Sequence, residues 1–194
     1  MINKEEYIEF AENGFNIVPL IKTIEKDLDS PIKVFSRIKN KKNTFLLESI
    51  EGGEKWAQYS LIGLDCNDSI KVSDNKIEIK TALGTNLIEC KEPLNELNKL
   101  IAEYKTPILD GMPRFYGGYV GFFAYESAKY AENKINALQR KDSKFDIHMP
   151  DIYLVKSEKI IVYDNFNNSI QAIYNANPQN CLLYTSDAAD DDRG

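Results

Sequence analysis

The chain has 194 residues, enough for one domain with its own core and too few for two domains of ordinary size. Hydrophobic residues make up 43% and charged residues 28%, a balance typical of soluble globular proteins, and no apolar run approaches the roughly 20 residues that cross a bilayer. A net charge of -6 argues against nucleic-acid binding, which uses a basic surface to neutralise phosphates.

The amino terminus and the cysteines indicate the compartment. The first ten residues, MINKEEYIEF, are charged from the fourth residue and lack the apolar stretch of an export signal, so we expect a cytoplasmic protein. Cys66, Cys90 and Cys181 are odd in number and far apart, which argues against a disulfide framework and against a zinc site.

Two short helices are predicted near the start of the chain. Asn3 followed by two glutamates, with Gly14 beyond the last apolar residue, is the pattern of a capped helix. Ser30-Pro31 before IKVFSRIKN repeats the start signal, because proline is favoured in the first turn of a helix.

From residue 43 onwards the sequence predicts antiparallel strands. TFLLES, YSLIGLD, SIKV and KIEIKT are short and rich in branched or aromatic residues, and they are separated by Gly-Gly and by Ser-Asp-Asn. Residues 151–175 alternate apolar and polar side chains around a turn at Asn167-Asn168. We therefore expect an α+β fold, with a largely antiparallel sheet and packed helices.

A third helix is predicted over residues 93–104, PLNELNKLIAEY. Its apolar residues recur at helical spacing and form one stripe that would pack on the sheet. The stripe consists of Leu94, Leu97, Leu100, Ile101 and Tyr104.

The glycine-rich segment 111–130, GMPRFYGGYVGFFAYESAKY, does not have the spacing of a phosphate-binding loop. We interpret it as a strand in which glycines let another backbone or a bulky ring approach, with alternate aromatic residues on one side. These residues are Phe115, Tyr119, Phe123 and Tyr125. The single histidine, His148, has no nucleophile signature around it, so a surface or strand-entry position is favoured over a catalytic role.

The end of the chain departs from this pattern. CLLYTSDAADDDRG carries four aspartates and one arginine, half of the net charge, and no glutamate that could close a calcium loop. We expect residues 1–178 to form the domain and residues 179–194 to be a disordered acidic tail or a segment foreign to the natural protein.

The strand that ends in Leu-Glu-Ser raises a functional question. Alternation places Phe45, Leu47 and Ser49 on one face, so a hydroxyl ends an apolar row. A buried hydroxyl needs a hydrogen-bond partner. Ser49 is therefore either an ordinary serine at a strand end, or a polar group facing a ligand in a small pocket.

Three ordered blocks of sequence carry a family resemblance. LLESIEGGEKWAQYSLIG, PRFYGGYVGFFAYE and DIYLVKSEKIIVYD resemble, in order and spacing, the amino-terminal domain of anthranilate synthase component I. The likeness runs from the opening helix to Asn177. It implies that tryptophan, the end product of the pathway, binds as a feedback inhibitor at Ser49, with Leu47 and Glu48 beside it and Tyr59 and Ser60 on the returning strand.

The resemblance also sets expectations about the complete enzyme. Members of the family convert chorismate and glutamine-derived ammonia to anthranilate and pyruvate, with a glutamine amidotransferase subunit (component II) supplying the ammonia. The catalytic groups and the Mg²⁺-binding glutamates belong to a carboxy-terminal chorismate-binding domain, which we expect to be absent here. We therefore expect no catalytic residue and no metal in this chain, which would be inactive alone.

Two alternatives stay open at the level of sequence. Aminodeoxychorismate synthase component I has the same architecture, although its members match ESIEGGEKW less well. The chain could also be a non-catalytic amino-acid-binding module.

Overall fold

The computed structural model describes residues 2–25, 30–40, 43–48, 59–132, 149–167 and 169–179. The chain divides into two compact units, each built on its own five-stranded sheet. The first unit comprises Met1–Cys66, Tyr104–Gly118 and Ser157–Gly194, and the second comprises Asn67–Glu103 and Tyr119–Lys156. Since strands dominate and the helices are short, the predicted α+β class is confirmed.

In its described residues, the first unit contains two helices and five strands. Their bounds are α1 Lys4–Glu12, β1 Val18–Glu25, α2 Pro31–Ile38, β2 Phe45–Glu48, β3 Tyr59–Leu64, β9 Lys159–Asp164 and β10 Ser169–Ala176.

In its described residues, the second unit contains one α-helix, five strands and a short 3₁₀ helix. Two residues of these strands, Gly118 at the start of one and Ser157 at the end of another, fall in the first unit. Their bounds are β4 Ser69–Ser73, β5 Lys76–Thr81, β6 Gly84–Glu89, α3 Pro93–Ala102, β7 Gly118–Phe123, the 3₁₀ helix Tyr125–Tyr130 and β8 Ile152–Ser157.

Helices α1 and α2 begin where the sequence predicts. The Asn3 side chain accepts a hydrogen bond from the Glu6 amide at 2.8 Å, and the Glu6 carboxylate accepts one from the Asn3 amide at 2.9 Å. This reciprocal capping satisfies two amides that the first helical turn leaves unpaired. Gly14 follows α1 with a φ of +81°, a conformation that glycine adopts without steric cost. Pro31 opens α2.

The sheet of the first unit has the strand order β1-β10-β9-β3-β2, and every neighbouring pair is antiparallel. One face carries Ile62, Tyr163 and Ile170, which pack with apolar residues of α2. The other face carries a second cluster, packed by residues from the segment 112–116. This second cluster is centred on Ile160, Val162 and Ile173. The sequence analysis assigned no strand to β1, although it forms an edge of this sheet.

Asn175 fixes the segment 112–116 to this sheet. Asn175 is 6% exposed. Its side-chain amide donates hydrogen bonds to the carbonyl oxygens of Tyr116 at 2.7 Å and Glu158 at 3.3 Å. Gly117, with a φ of +155°, lies against it, and a Cβ at that position would approach the Asn175 Nδ2 to 2.2 Å. Glycine is therefore required there by both backbone conformation and space.

The sheet of the second unit has the strand order β6-β5-β4-β8-β7. Asp74 and Asn75 form the β4–β5 turn with φ of +46° and +63°, as expected for a two-residue hairpin loop that matches the strand twist. Leu97 of α3 packs on the core of this sheet with 2% exposure. That core is formed by Ile70, Val72, Ile77, Ile152 and Leu154.

The predicted apolar stripe of α3 is confirmed in part. Leu94 and Leu100 also pack against the core of the second unit. Ile101 and Tyr104 are each 40% exposed, so their predicted packing on the sheet is wrong. Tyr104 lies beyond the helix because α3 ends at Ala102.

The predicted close approach of a backbone to a glycine is confirmed at Gly121 in β7. A Cβ at this position would lie 1.9 Å from the carbonyl oxygen of Tyr153 in β8. The predicted aromatic row is wrong, because Phe123 is 56% exposed and Tyr125, 92% exposed, begins the 3₁₀ helix. That helix breaks the alternation of a strand.

Within the described residues, no helix is both long and apolar enough to span a membrane. The predicted position of His148 lies outside these residues, as do residues 180–194 of the predicted tail 179–194.

We expect Gly121→Ala to lower the free energy of unfolding by about 1–3 kcal/mol, because the added methyl meets a main-chain carbonyl that β8 cannot move without losing its own pairing. Urea unfolding followed by circular dichroism measures the change. Gly63→Ala is the comparison, since its added methyl meets the ring of Phe45, a side chain that can rotate away. An equal or larger loss at Gly63 would contradict the argument.

Candidate functional site

The residues implied by the resemblance lie at one end of the β2–β3 pair. Leu47 and Glu48 end β2, and Tyr59 and Ser60 begin β3. Ser49 lies outside the described residues, in the segment 49–58 that joins the two strands. The structure therefore places four of the five predicted residues on either side of this connection.

The register of the strands decides which of these side chains share a face. Leu47 lies opposite Leu61, and Glu48 lies opposite Ser60. Directly opposite residues in an antiparallel pair point to the same face, and successive residues alternate. Leu47 and Tyr59 therefore share one face of the sheet, and Glu48 and Ser60 share the other.

The two faces differ in exposure. Ser60 is 1% exposed and lies opposite Tyr163, which is also 1% exposed, in the face that packs with α2. On the other face, Leu47 is 45% exposed, and Tyr59 is half-buried against the cluster that contains Val162. The Leu47 face is the one on which an apolar side chain is accessible to a ligand.

Asp164 borders this end of the sheet and was not identified from the sequence. It lies opposite Tyr59 and is 8% exposed. Its carboxylate accepts hydrogen bonds from the amides of Phe166 and Asn167, both at 2.9 Å, and from the Asn167 side chain at 2.8 Å. These bonds hold the β9–β10 turn, a role that the Asp-Asn-Phe-Asn sequence could have signalled, because Asp bonds amides two residues on.

The arrangement at the β2–β3 end suits recognition rather than reaction. Leu47 and Tyr59 offer an apolar contact, and the exposed Glu48 carboxylate at the end of the same strand can attract a cation. In the parts of the chain that the structure describes, no group of three or more His, Cys, Asp or Glu side chains is placed to hold a metal ion.

The second unit contains a separate polar cluster centred on Asp151. The Asp151 carboxylate accepts hydrogen bonds from the Tyr130 hydroxyl at 2.5 Å and from the Asp74 amide at 3.4 Å, and it pairs with the Lys129 ammonium at 3.0 Å. The Lys129 ammonium also lies 3.5 Å from the Asp74 carboxylate. The cluster joins the 3₁₀ helix to the β4–β5 turn.

The pKa shifts in this cluster follow from its contacts. Burial alone would raise the pKa of Asp151, but hydrogen bonds from Tyr130 and Lys129 and the Lys129 charge lower that pKa below its ordinary value. Burial and the bond to Asp151 raise the pKa of Tyr130 to about 12. Burial opposes the charge of Lys129, yet the bond to Asp151 and the neighbouring carboxylates raise its pKa.

A cleft of about 360 Å³ opens beside this cluster, and another of about 670 Å³ lies in the first unit. The smaller cleft is lined by polar groups that include Lys91, Glu92 and Lys129. The larger one lies along α1 and includes Glu9, Asp110 and an apolar surface of Ile21. Neither cleft is predictable from the sequence, because each is assembled from segments far apart in the chain.

Comparison with known proteins finds relatives named anthranilate synthase component 1. The chain is 35% identical over 178 residues to anthranilate synthase component 1 of Pseudomonas aeruginosa and 33% identical over 180 residues to that of Neisseria meningitidis. The alignments cover 91% and 92% of this chain and 36% of each relative. The resemblance stated from the sequence is therefore confirmed, and the chain spans about a third of the length of these relatives.

A solved structure described as anthranilate synthase component I from Streptococcus pneumoniae shares 23% identity, with a TM-score of 0.46, over 87% of this chain and 36% of that one. No protein-family model matches the chain. The relationship rests on the sequence relatives.

The Asp151 cluster predicts a pH-dependent stability. Because its folded pKa is depressed, the Asp151 carboxylate stabilises the second unit above the unfolded-state pKa, and this contribution is lost as the pH falls through the folded pKa. We expect Asp151→Asn to lower the free energy of unfolding by about 1–2 kcal/mol at pH 7. The difference from wild type should shrink as the pH falls below about 4.

Urea unfolding at a series of pH values measures this difference. Asp74→Asn is the control, because the Asp74 side chain is 91% exposed and should matter little. A difference between Asp151→Asn and wild type that stays constant from neutral to acid pH would show that the carboxylate charge is not responsible.

Proposed function

We propose that this chain is the tryptophan-binding regulatory part of an anthranilate synthase. The premise is that it is related over 91% of its length to proteins named anthranilate synthase component 1. In the complete protein, chorismate and glutamine-derived ammonia give anthranilate and pyruvate, and a glutamine amidotransferase subunit supplies the ammonia. The role of this chain is to bind the end product of the pathway and to support the part that carries out the reaction in the cytoplasm.

The observation that supports this proposal most directly is the exposure of Leu47. An apolar side chain at a strand end is 45% exposed, beside a half-buried tyrosine on the same face and next to an exposed carboxylate. An amino acid with an aromatic side chain presents the complementary pair of groups, a flat apolar ring and an ammonium. The ring would lie against Leu47 and Tyr59. The Glu48 carboxylate, which extends from the opposite face of the sheet, would reach the ammonium around the end of the edge strand β2.

Ser49 and Ser60 take different roles in the proposal. Ser49 follows Leu47 by two positions, so continuation of the strand would turn its hydroxyl to the Leu47 face, where it can bond the carboxylate or ammonium of the ligand. Ser60 is 1% exposed on the opposite face. It therefore acts indirectly, by packing where β3 meets β9 and so positioning Tyr59.

Feedback inhibition requires that tryptophan bind two states of the complete enzyme with different affinity. The proposal assigns Mg²⁺ and chorismate to the part of the enzyme that follows this domain.

The proposal is tested by titrating the 194-residue chain with tryptophan in a calorimeter. We expect Ser49→Ala and Leu47→Ala each to weaken tryptophan binding by about tenfold, since each removes a contact of about 1.4 kcal/mol. Ser73→Ala, an exposed serine in the second unit, is the matched control and should bind as wild type. Thermal unfolding of each variant distinguishes a lost contact from a lost fold.

The role of Glu48 has a sharper test. Glu48→Gln should weaken tryptophan binding and leave the binding of indole-3-propionate unchanged, because that analogue has the ring and the carboxylate but no ammonium. Tryptophan binding that survives all three substitutions at wild-type strength would place the effector elsewhere, and a chain that binds no tryptophan would contradict the regulatory role.

A further inference from the structure

Strand β6 forms one edge of the sheet in the second unit. It pairs with β5 on one side, and among the described residues no strand pairs with its other side. Five of its six residues are exposed, and Ile88 is the exception. A row of main-chain donors and acceptors therefore faces solvent along β6.

The register with β5 shows which residues present these groups. The two strands are joined by a two-residue loop, with Thr81 opposite Gly84. In such a hairpin the residues that flank the loop bond each other, and hydrogen-bonded pairs then alternate along the ladder. The amides and carbonyls of Thr85, Leu87 and Glu89 therefore point outward, away from β5.

The outward edge of β6 lacks the features that usually keep sheet edges apart. Such edges are protected by proline, lysine, bulges or short length. In the sheet of the first unit, edge strand β1 contains Pro19 and Lys22, and edge strand β2 has four residues. β6 has six residues and neither proline nor lysine, and two leucines at this edge are exposed, Leu87 to 66% and Leu83 to 101%.

We propose that β6 is a self-association site, at which the β6 strands of two copies of this chain pair antiparallel about a two-fold axis through Asn86. This register pairs Gly84 to Ile88 of one strand with the same residues of the other, five of the six residues of β6, and joins the two five-stranded sheets into one. Thr85 of each copy lies opposite Leu87 of the other, so that the outward-pointing main-chain groups meet as hydrogen-bonded pairs.

The side chains of β6 are complementary to themselves in this register. Leu87 of one copy lies opposite Thr85 of the second copy and diagonal to Leu87 of the second copy. The two Leu87 side chains, each exposed in the single chain, therefore cover each other. The one charged residue of β6, Glu89, pairs within its own chain with Lys76 at 3.6 Å and lies opposite Leu83 of the second copy. No like charges are opposed, and this favours a second copy as the occupant.

The other edge of the same sheet is a weaker candidate. β7 contains Gly118 and Gly121 among its six residues, and glycine weakens strand pairing because it loses more conformational entropy and offers no side chain to pack. β6 belongs to the second unit and the residues proposed to bind tryptophan belong to the first, and the two tests measure different properties, so either proposal can fail without the other.

The interface is small. Six residues on each side bury less surface than the roughly 1,200 Å² of a stable complex, so the dimer forms weakly and its population depends on concentration. Sedimentation equilibrium of the full chain over about 10 to 500 μM should show a monomer–dimer equilibrium.

Two substitutions address the edge in different ways. Leu87→Lys places two ammonium groups diagonal to each other across the axis, and Thr85→Pro removes an outward amide while leaving the bonds from β6 to β5 intact. Each should weaken association at least tenfold with an unchanged circular dichroism spectrum. Ile108→Lys, which changes a 95% exposed side chain of the first unit, is the matched control and should dimerise as wild type.

Hydrogen exchange provides a direct readout of the pairing. The amides of Leu87 and Glu89 should gain protection as the concentration rises, whereas those of Asn86 and Ile88, already bonded to β5, should not change. A chain that is monomeric over the whole range overturns the proposal. So does a dimer that persists in both variants, or one that forms without protecting Leu87.

Discussion

The pairing of β3 with β9 is the constraint on which the first unit depends. It joins residues about a hundred positions apart in the chain, with Ser60 opposite Tyr163 and Leu61 opposite Val162. Both faces of this pair are buried, one under α2 and the other under the segment 112–116. Among the strands that the structure describes, β2 pairs only with β3, so the position of Leu47 and Glu48 follows from this pairing.

The two units use different means to hold their irregular segments. In the first, the Asn175 side chain and the absence of a Cβ at Gly117 keep the segment 112–116 against the sheet. In the second, the Asp151 carboxylate gathers a tyrosine, a lysine and a turn amide around one point. A carboxylate that is largely buried is stable when several donors surround it, and here the donors come from two separate elements, the 3₁₀ helix and the β4–β5 turn.

The candidate effector site shows how alternation along a strand limits a prediction made from a motif. The Leu-Glu-Ser motif directs attention to one strand end, and in the structure Leu47 and Glu48 end β2. The motif contains no information about the neighbouring strand, whose register sends Tyr59 to the face of Leu47 and Ser60 to the face of Glu48. The buried Ser60 and the exposed Leu47 are on neighbouring strands, and they therefore lie on opposite faces of the sheet.

The sequence by itself determined the α+β class, the starts of α1, α2 and α3, the β4–β5 turn and the close approach at Gly121. These features depend on residues within a few positions of each other, or on the absence of a side chain. The tertiary structure decided that the ten strands in the described part of the chain form two separate sheets and that β1 forms an edge of one of them. It also decided that Ile101, Phe123 and Tyr125 remain exposed, that Asp151 becomes the centre of a polar cluster, and that β6 presents an open edge. The reason is physical: local patterns specify which residues can enter a strand or helix, whereas pairing partners and burial depend on contacts between segments far apart in the chain.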